Sequence, residues 1–178
     1  MRELNVDVIT NTVENLCIES NYFLPRDVKK ALEDAVLKEE SPVGRETLLD
    51  VLKNAEIAAR NQVPICQDTG LTVVFAELGQ DLRLVGGDFY EAINEGVRRG
   101  YKNGYLRKSA VDDPFLVRKN TGDNTPAIIH TTIVKGDRLK IIIAPKGGGS
   151  ENMSALRMLT PAEGVDGIKK FVVDTVDK

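Results

Sequence analysis

The apolar residues of this chain change period once, and that change constrains its fold more than any other feature. Up to residue 62 they recur three and four apart. Val6, Ile9, Val13 and Leu16 share one face, Val28, Ala31, Leu32 and Ala35 a second behind Pro25, and Leu48, Val51, Leu52, Ala55, Ala58 and Ala59 a third after Ser41-Pro42. From Leu71 onward the apolar runs are short, β-branched and bounded by glycines and turn residues. Residues 71–78, 127–134 and 139–144 read as strands, the last two joined through Lys135-Gly136-Asp137-Arg138 as a hairpin. Between them Asp88 caps a helix that Gly104 ends, and Thr160-Pro161-Ala162-Glu163 opens a last helix with a capping box. Helices first and strands after predict an α+β fold, with N-terminal helices packed against a mixed β-sheet and further helices around it. The expected organisation is an N-terminal helical segment, 1–62, and an α/β region, 63–178, within one cooperative domain.

The change of period falls on Pro64-Ile65-Cys66-Gln67-Asp68-Thr69-Gly70, which sets a thiol, an amide and a carboxylate side by side. A nearby carboxylate disfavours a free thiolate, so Cys66 is poorly placed as a nucleophile. Bound to a metal it would be held deprotonated, leaving Gln67 and Asp68 to face a ligand. The alternative is a cysteine filling the core beside a strand, with Asp68 capping the turn before Gly70. In Tyr105-Leu106-Arg107-Lys108-Ser109 the guanidinium can grip a carboxylate through two parallel bonds, although an arginine among Lys102, Lys108 and Arg118 is also ordinary surface charge. Lys146-Gly147-Gly148-Gly149-Ser150-Glu151-Asn152 is either a run of bare amides that makes an anion-binding concavity or a flexible loop. It lacks the spacing of a phosphate loop or a dinucleotide fold. Cys17 reads as a buried helix residue, His130 as a half-buried structural residue in a strand, and Asp112-Asp113-Pro114 as a turn.

These motifs, with Met153-Ser154-Ala155-Leu156-Arg157-Met158-Leu159-Thr160-Pro161-Ala162-Glu163-Gly164 following the glycine run, resemble the α subunit of the iron-sulfur-dependent hydro-lyases, the class I fumarate hydratase and L-tartrate dehydratase family. The resemblance extends over nearly the whole chain. It implies a 4Fe-4S cluster held by three cysteines, with the fourth iron open to a hydroxy-dicarboxylate. Cys66 matches the first metal ligand; the other two belong to a downstream segment with no counterpart before Lys178, and Cys17 matches none. It further implies that Gln67 hydrogen-bonds a substrate carboxylate and that Asp68 contacts substrate and, as the catalytic residue, handles the proton of the leaving or attacking water. Arg107 would clamp a carboxylate, and Gly148 and Gly149 would bring backbone close to it. The function so implied is the reversible hydration of fumarate to L-malate, a tricarboxylic acid cycle step, completed by a β subunit or C-terminal part of a larger protein. The alternatives are an L-tartrate dehydratase α subunit, or a cluster-free module that assembles with its partner or binds a dicarboxylate without turnover. With one matching thiolate, the isolated chain is expected to lack the cluster and to be inactive.

Composition narrows the partners. A net charge of -3 over 178 residues offers no general basic face for nucleic acid. No apolar run has the length of a membrane span, and Met1-Arg2-Glu3-Leu4 does not open a secretory signal. Two cysteines at unrelated spacing suggest no disulfide framework, so a cytoplasmic protein is expected. A partner surface left unfilled should expose apolar patches, which predicts an oligomer.

Overall fold

In the computed structural model, which describes residues 2–177 except for the side chains of Ser150 and Glu151, the three helical stripes become three helices. Asn5 starts α1 (Val6–Tyr22) by accepting the Asp7 N–H at 2.8 Å. After α2 (Arg26–Lys38), Ser41 and Pro42 start α3 (Pro42–Asn61). Val6, Ile9, Val13 and Cys17 lie on one side of α1 and are buried. That side meets α4 (Phe89–Asn103), which Asp88 caps through the Glu91 N–H at 2.9 Å and whose Ile93, Val97 and Tyr101 are buried in turn. Gly96 and Gly100 let the two helices close up. A Cβ on Gly96 would stand 2.6 Å from the Thr10 carbonyl oxygen, and one on Gly100 would stand 2.7 Å from Cys17 Cβ. Each fully buried Ile or Val in this seam contributes roughly 1.5–3 kcal/mol relative to exposure.

The seam rests on a mixed sheet. β1 (Arg2–Asn5) leads into α1, and β2 (Leu71–Gly79) is the centre of the main sheet; β3 (Leu82–Val85) pairs in parallel with β1. Short strands β4 (Val111–Asp112) and β5 (Lys119–Asn120) form a separate antiparallel pair. β6 (Ile128–Val134) lies parallel to β2 on one side and β7 (Leu139–Lys146) antiparallel on the other. The hairpin expected between the last two strands therefore does not form, because β2 stands between them. Their connection is tied to the end of β2 instead: the N–H groups of Gly79, Gln80 and Asp81 donate to the carbonyls of Arg138, Val134 and Gly136 at 2.8, 2.9 and 2.9 Å. The unbroken Val73-Val74-Phe75-Ala76 run suits a central strand better than an edge.

This is the α+β fold expected, a mixed sheet with helices on one face. Val74 and Ala76 enter the core with α1 and α4, whereas Phe75 and Ile142 on the other face stay exposed. The 1–62 segment does not stand apart from the sheet region, since α1 shares its core with α4 and the strands. α2 and α3 pack mainly on each other; Val36, Ala55 and Ala58 are buried, while Val28 and Val51 remain exposed. His130 is exposed rather than half-buried, its ring stacked on Phe75 with centroids 5.2 Å apart. No helix among the described residues is long and apolar enough to cross a membrane.

The chain divides into two compact units after Gly147. The second holds two short 3-10 turns, Gly149–Met153 and Pro161–Glu163, and α5 (Gly164–Val176). The expected capping residues are engaged: the Glu163 carboxylate accepts the Thr160 N–H at 2.7 Å and the Thr160 hydroxyl at 3.0 Å. α5 buries none of its residues, and Val165, Ile168, Val172, Val173 and Val176 are all exposed.

Candidate active site

The 66–70 loop is held at its start by two helices. Ile65 donates its N–H to the Asn21 carbonyl of α1 at 2.9 Å, and Asn54 of α3 donates its side-chain amide to the Ile65 carbonyl at 2.8 Å. With both backbone groups of Ile65 engaged, Cys66 emerges exposed, its Sγ accepting the Asp68 N–H at 3.4 Å. Cys66 is thus not core filling. Gln67 is exposed and Asp68 half-buried. Gly70 closes the loop at φ +62, where a Cβ would fall 2.2 Å from the Lys146 carbonyl oxygen, so only glycine lets the loop rest on the end of β7. At the neighbouring Gly147 a Cβ would meet Asp68 Oδ2 at 2.8 Å, so the carboxylate lies directly against the first residue of the glycine run.

Arg107 reaches the same place from the end of α4. Gly104 donates to the Gly100 carbonyl at 2.9 Å and Leu106 to the Tyr101 carbonyl at 3.1 Å, with Tyr105 between them at φ +51. This left-handed turn, unusual for a bulky residue, buries Leu106 and returns Arg107 toward Cys66. Thr69 fastens the two stretches together by donating its hydroxyl to the Arg107 carbonyl at 2.8 Å. Between them opens a cleft of about 320 Å³ lined by Pro64, Cys66, Gln67, Thr69, Tyr105 and Arg107. The residue types singled out in the sequence, an accessible thiol, an amide and a guanidinium, therefore face one cavity. Such a cavity can take an anion with several oxygen acceptors. Gly148 and Gly149 open the second unit, and a Cβ at either would meet nothing within 4 Å.

Sequence reasoning did not single out Thr69 or Tyr105 as lining the cleft. It also missed the buried residues behind it. Tyr101 donates its hydroxyl to the Thr69 carbonyl at 2.8 Å and the Gly70 carbonyl at 3.2 Å, and Asn124 donates its amide to the same Gly70 carbonyl at 3.1 Å. Burial pushes the Tyr101 hydroxyl up to about 12, so it remains a donor across the working range. The Ser109 hydroxyl is buried without a hydrogen-bond partner among the described residues.

The donor set does not by itself fit a cluster held by three thiolates. Cys66 is accessible, but the other cysteine of the sequence, Cys17, is 1% exposed on α1, and burial pushes its thiol up to about 12. Among the described residues no three His, Cys, Asp or Glu side chains are grouped so as to hold a metal ion. One thiolate ligand is what this chain can offer.

The family model described as Fumarate hydratase (Fumerase) matches residues 10–178. A Methanocaldococcus jannaschii protein provisionally named L(+)-tartrate dehydratase subunit alpha is 41% identical over 174 residues, covering 94% of this chain and 60% of that protein. The anaerobic class I fumarate hydratase of Escherichia coli K12 is 38% identical over 134 residues, 71% of this chain and 23% of its own length. The L(+)-tartrate dehydratase subunit alpha of Escherichia coli UTI89 is 28% identical over 173 residues, 96% of this chain and 57% of its own. The chain thus spans at most three fifths of each of these relatives. With a family match that runs from α1 to its last residue, the chain belongs to the fumarate hydratase (Fumerase) family.

Proposed function

We propose that this chain is part of a hydro-lyase α subunit acting on a small dicarboxylate, with reversible hydration of fumarate to L-malate as its reaction. The observation that carries the reading is the meeting of Cys66, Gln67 and Arg107 in one cleft, with Asp68 in the same loop. A dicarboxylate brings two negative ends. Arg107 is suited to hold one of them through two parallel bonds, and the Gln67 amide to donate to a carboxylate oxygen. Asp68 is assigned the proton of the water that leaves or adds, and Gly148 and Gly149 a backbone approach to the substrate. In the complete protein Cys66 would be one thiolate ligand of a 4Fe-4S cluster, the other two coming from a downstream segment and the rest of the site from a β subunit or C-terminal part. Two unpaired cysteines support a reducing, cytoplasmic setting.

A second reading, dehydration of L-tartrate, is favoured by the two tartrate dehydratase subunits, which align with 94% and 96% of this chain. One experiment addresses both. The complete protein, assembled with its partner and reconstituted anaerobically with iron and sulfide, is assayed for fumarate hydration and L-tartrate dehydration. Fumarate turnover is expected, with Arg107→Lys lowering kcat/KM by about 100-fold and Asp68→Asn lowering chiefly kcat. A strong preference for L-tartrate selects the second reading, and a loaded complex that turns over neither acid defeats both.

A further inference from the structure

Three buried polar side chains stand at or behind the cleft, and each bonds to main chain of one or both of the stretches that form it. Thr69, Tyr101 and Asn124 are at most 2% exposed. Asn124 sits at φ +64, a conformation asparagine tolerates, and uses both ends of its amide. Its Oδ1 accepts the N–H groups of Ser109 and Ala110 at 2.8 and 3.0 Å, while its Nδ2 donates to the Gly70 carbonyl at 3.1 Å. One side chain therefore spans the gap between the end of the Cys66 loop and the stretch after Arg107. Tyr101, from the rigid α4, donates to Thr69 and to the same Gly70 carbonyl. The turn that carries Asn124 is itself anchored to α4, because Asp123 accepts from Arg98 at 3.0 Å. Local turn formation would not require such bonds. Together they tie the end of the Cys66 loop to α4 and to the stretch after Arg107.

We propose that Asn124 and Tyr101 are positioning residues of the active site, a buried clamp that sets the Cys66 loop against the Arg107 stretch at the spacing a dicarboxylate requires. The inference rests on the reading of the cleft as the substrate site. Neither residue lines the cleft, so neither contacts the reacting atoms. Loss of the clamp lets the two sides drift, and misplacement by about 1 Å is enough to cost about 100-fold in rate.

The test uses Tyr101→Phe, which removes the hydroxyl and keeps the ring, and Asn124→Gly, which removes the amide and keeps the left-handed backbone free. Asn124→Asp retains the acceptor for Ser109 and Ala110 but, ionised, cannot donate to Gly70. Carboxamidomethylation of Cys66 by iodoacetamide in the metal-free chain is monitored by peptide mass. Cys17, buried in the α1–α4 seam, reports in the same digest whether the fold has opened. The expected result is a change in the Cys66 rate of about fivefold or more with Cys17 still protected, Asn124→Asp included, because its buried carboxylate oxygen would face the Gly70 carbonyl. In the complete enzyme, KM for the dicarboxylate rises and kcat falls about tenfold or more, beyond any loss of folded protein. An unchanged Cys66 rate in all three variants, with only a lowered melting temperature, overturns the clamp while leaving the proposed function untouched. A changed Cys66 rate with unchanged KM and kcat overturns instead the reading of the cleft as the substrate site, and with it the catalytic sense of the clamp.

Discussion

Asp123 is held by the turn that positions Asn124 and by the helix behind it. Burial works against its charge, but the Thr125 hydroxyl and N–H and the Arg98 guanidinium outweigh it and hold the carboxyl down to about 2. A carboxyl with a depressed folded-state value stabilises the fold above its unfolded value, and that contribution is lost as pH falls through the folded value. Stability should therefore fall between about pH 4 and about pH 2. The side chain is 29% exposed, so with solvent screening the effect is on the order of 1 kcal/mol. Unfolding free energies from urea titrations should place Asp123→Asn below the wild type at neutral pH by that amount, with the two converging near pH 2; a constant difference across the range would refute the assignment. At this scale the sequence was legible in that Cys66, Gln67 and Arg107, singled out by residue type, line one cleft. It was silent on Asn124, because an Asn-Thr-Gly-Asp-Asn-Thr-Pro string reads as turn chemistry whichever way its amides point.

Among the helices, α1 and α4 have the most extensive contact, and the glycines on α4 explain it. Alanine at Gly96 would gain up to about 1 kcal/mol in helix propensity. The new Cβ, however, would fall 2.6 Å from the Thr10 carbonyl oxygen and 2.7 Å from Val13 Cβ, on the facing helix, where no flexible side-chain end can give way. Overpacking of this kind costs about 1–3 kcal/mol, so the clash wins, and Gly96→Ala should lower the denaturation midpoint. A raised midpoint would show that the helices can separate at little cost. Periodicity made α1 visible and a cap marked α4, and Asp88 of α4 and Ser41 of α3 start their helices where expected. That β6 and β7 each pair with β2 was not visible in the same way. A short turn between two apolar runs favours a hairpin locally, and nothing local records that a third strand will take the place between them.

Over the whole molecule, apolar surface remains uncovered on the outer face of the sheet, at Phe75 and Ile142, and at the tip formed by Phe115, Leu116 and Val117. The tip is gathered on Asp113, whose carboxylate accepts all three of its N–H groups. Burying Phe115 and Leu116 against another surface is worth roughly 1.5–3 kcal/mol each. The isolated chain should therefore self-associate as its concentration rises, and Phe115→Ser with Leu116→Ser should reduce that association; sedimentation velocity reads both, and a monomer at every concentration would remove the argument. The sequence by itself determined which segments are helical or extended, where several of them start, and which residue types are available for chemistry, because these follow from local periodicity, capping and side-chain identity. Only the tertiary structure decided that β2 is central, that Arg107 returns to Cys66, and that Tyr101 and Asn124 fix the spacing between them. Those outcomes depend on bonds between residues far apart in the chain, 38 positions for Thr69 with Arg107 and 54 for Asn124 with Gly70, and such pairings are settled by the packing of the whole core rather than by any window of sequence.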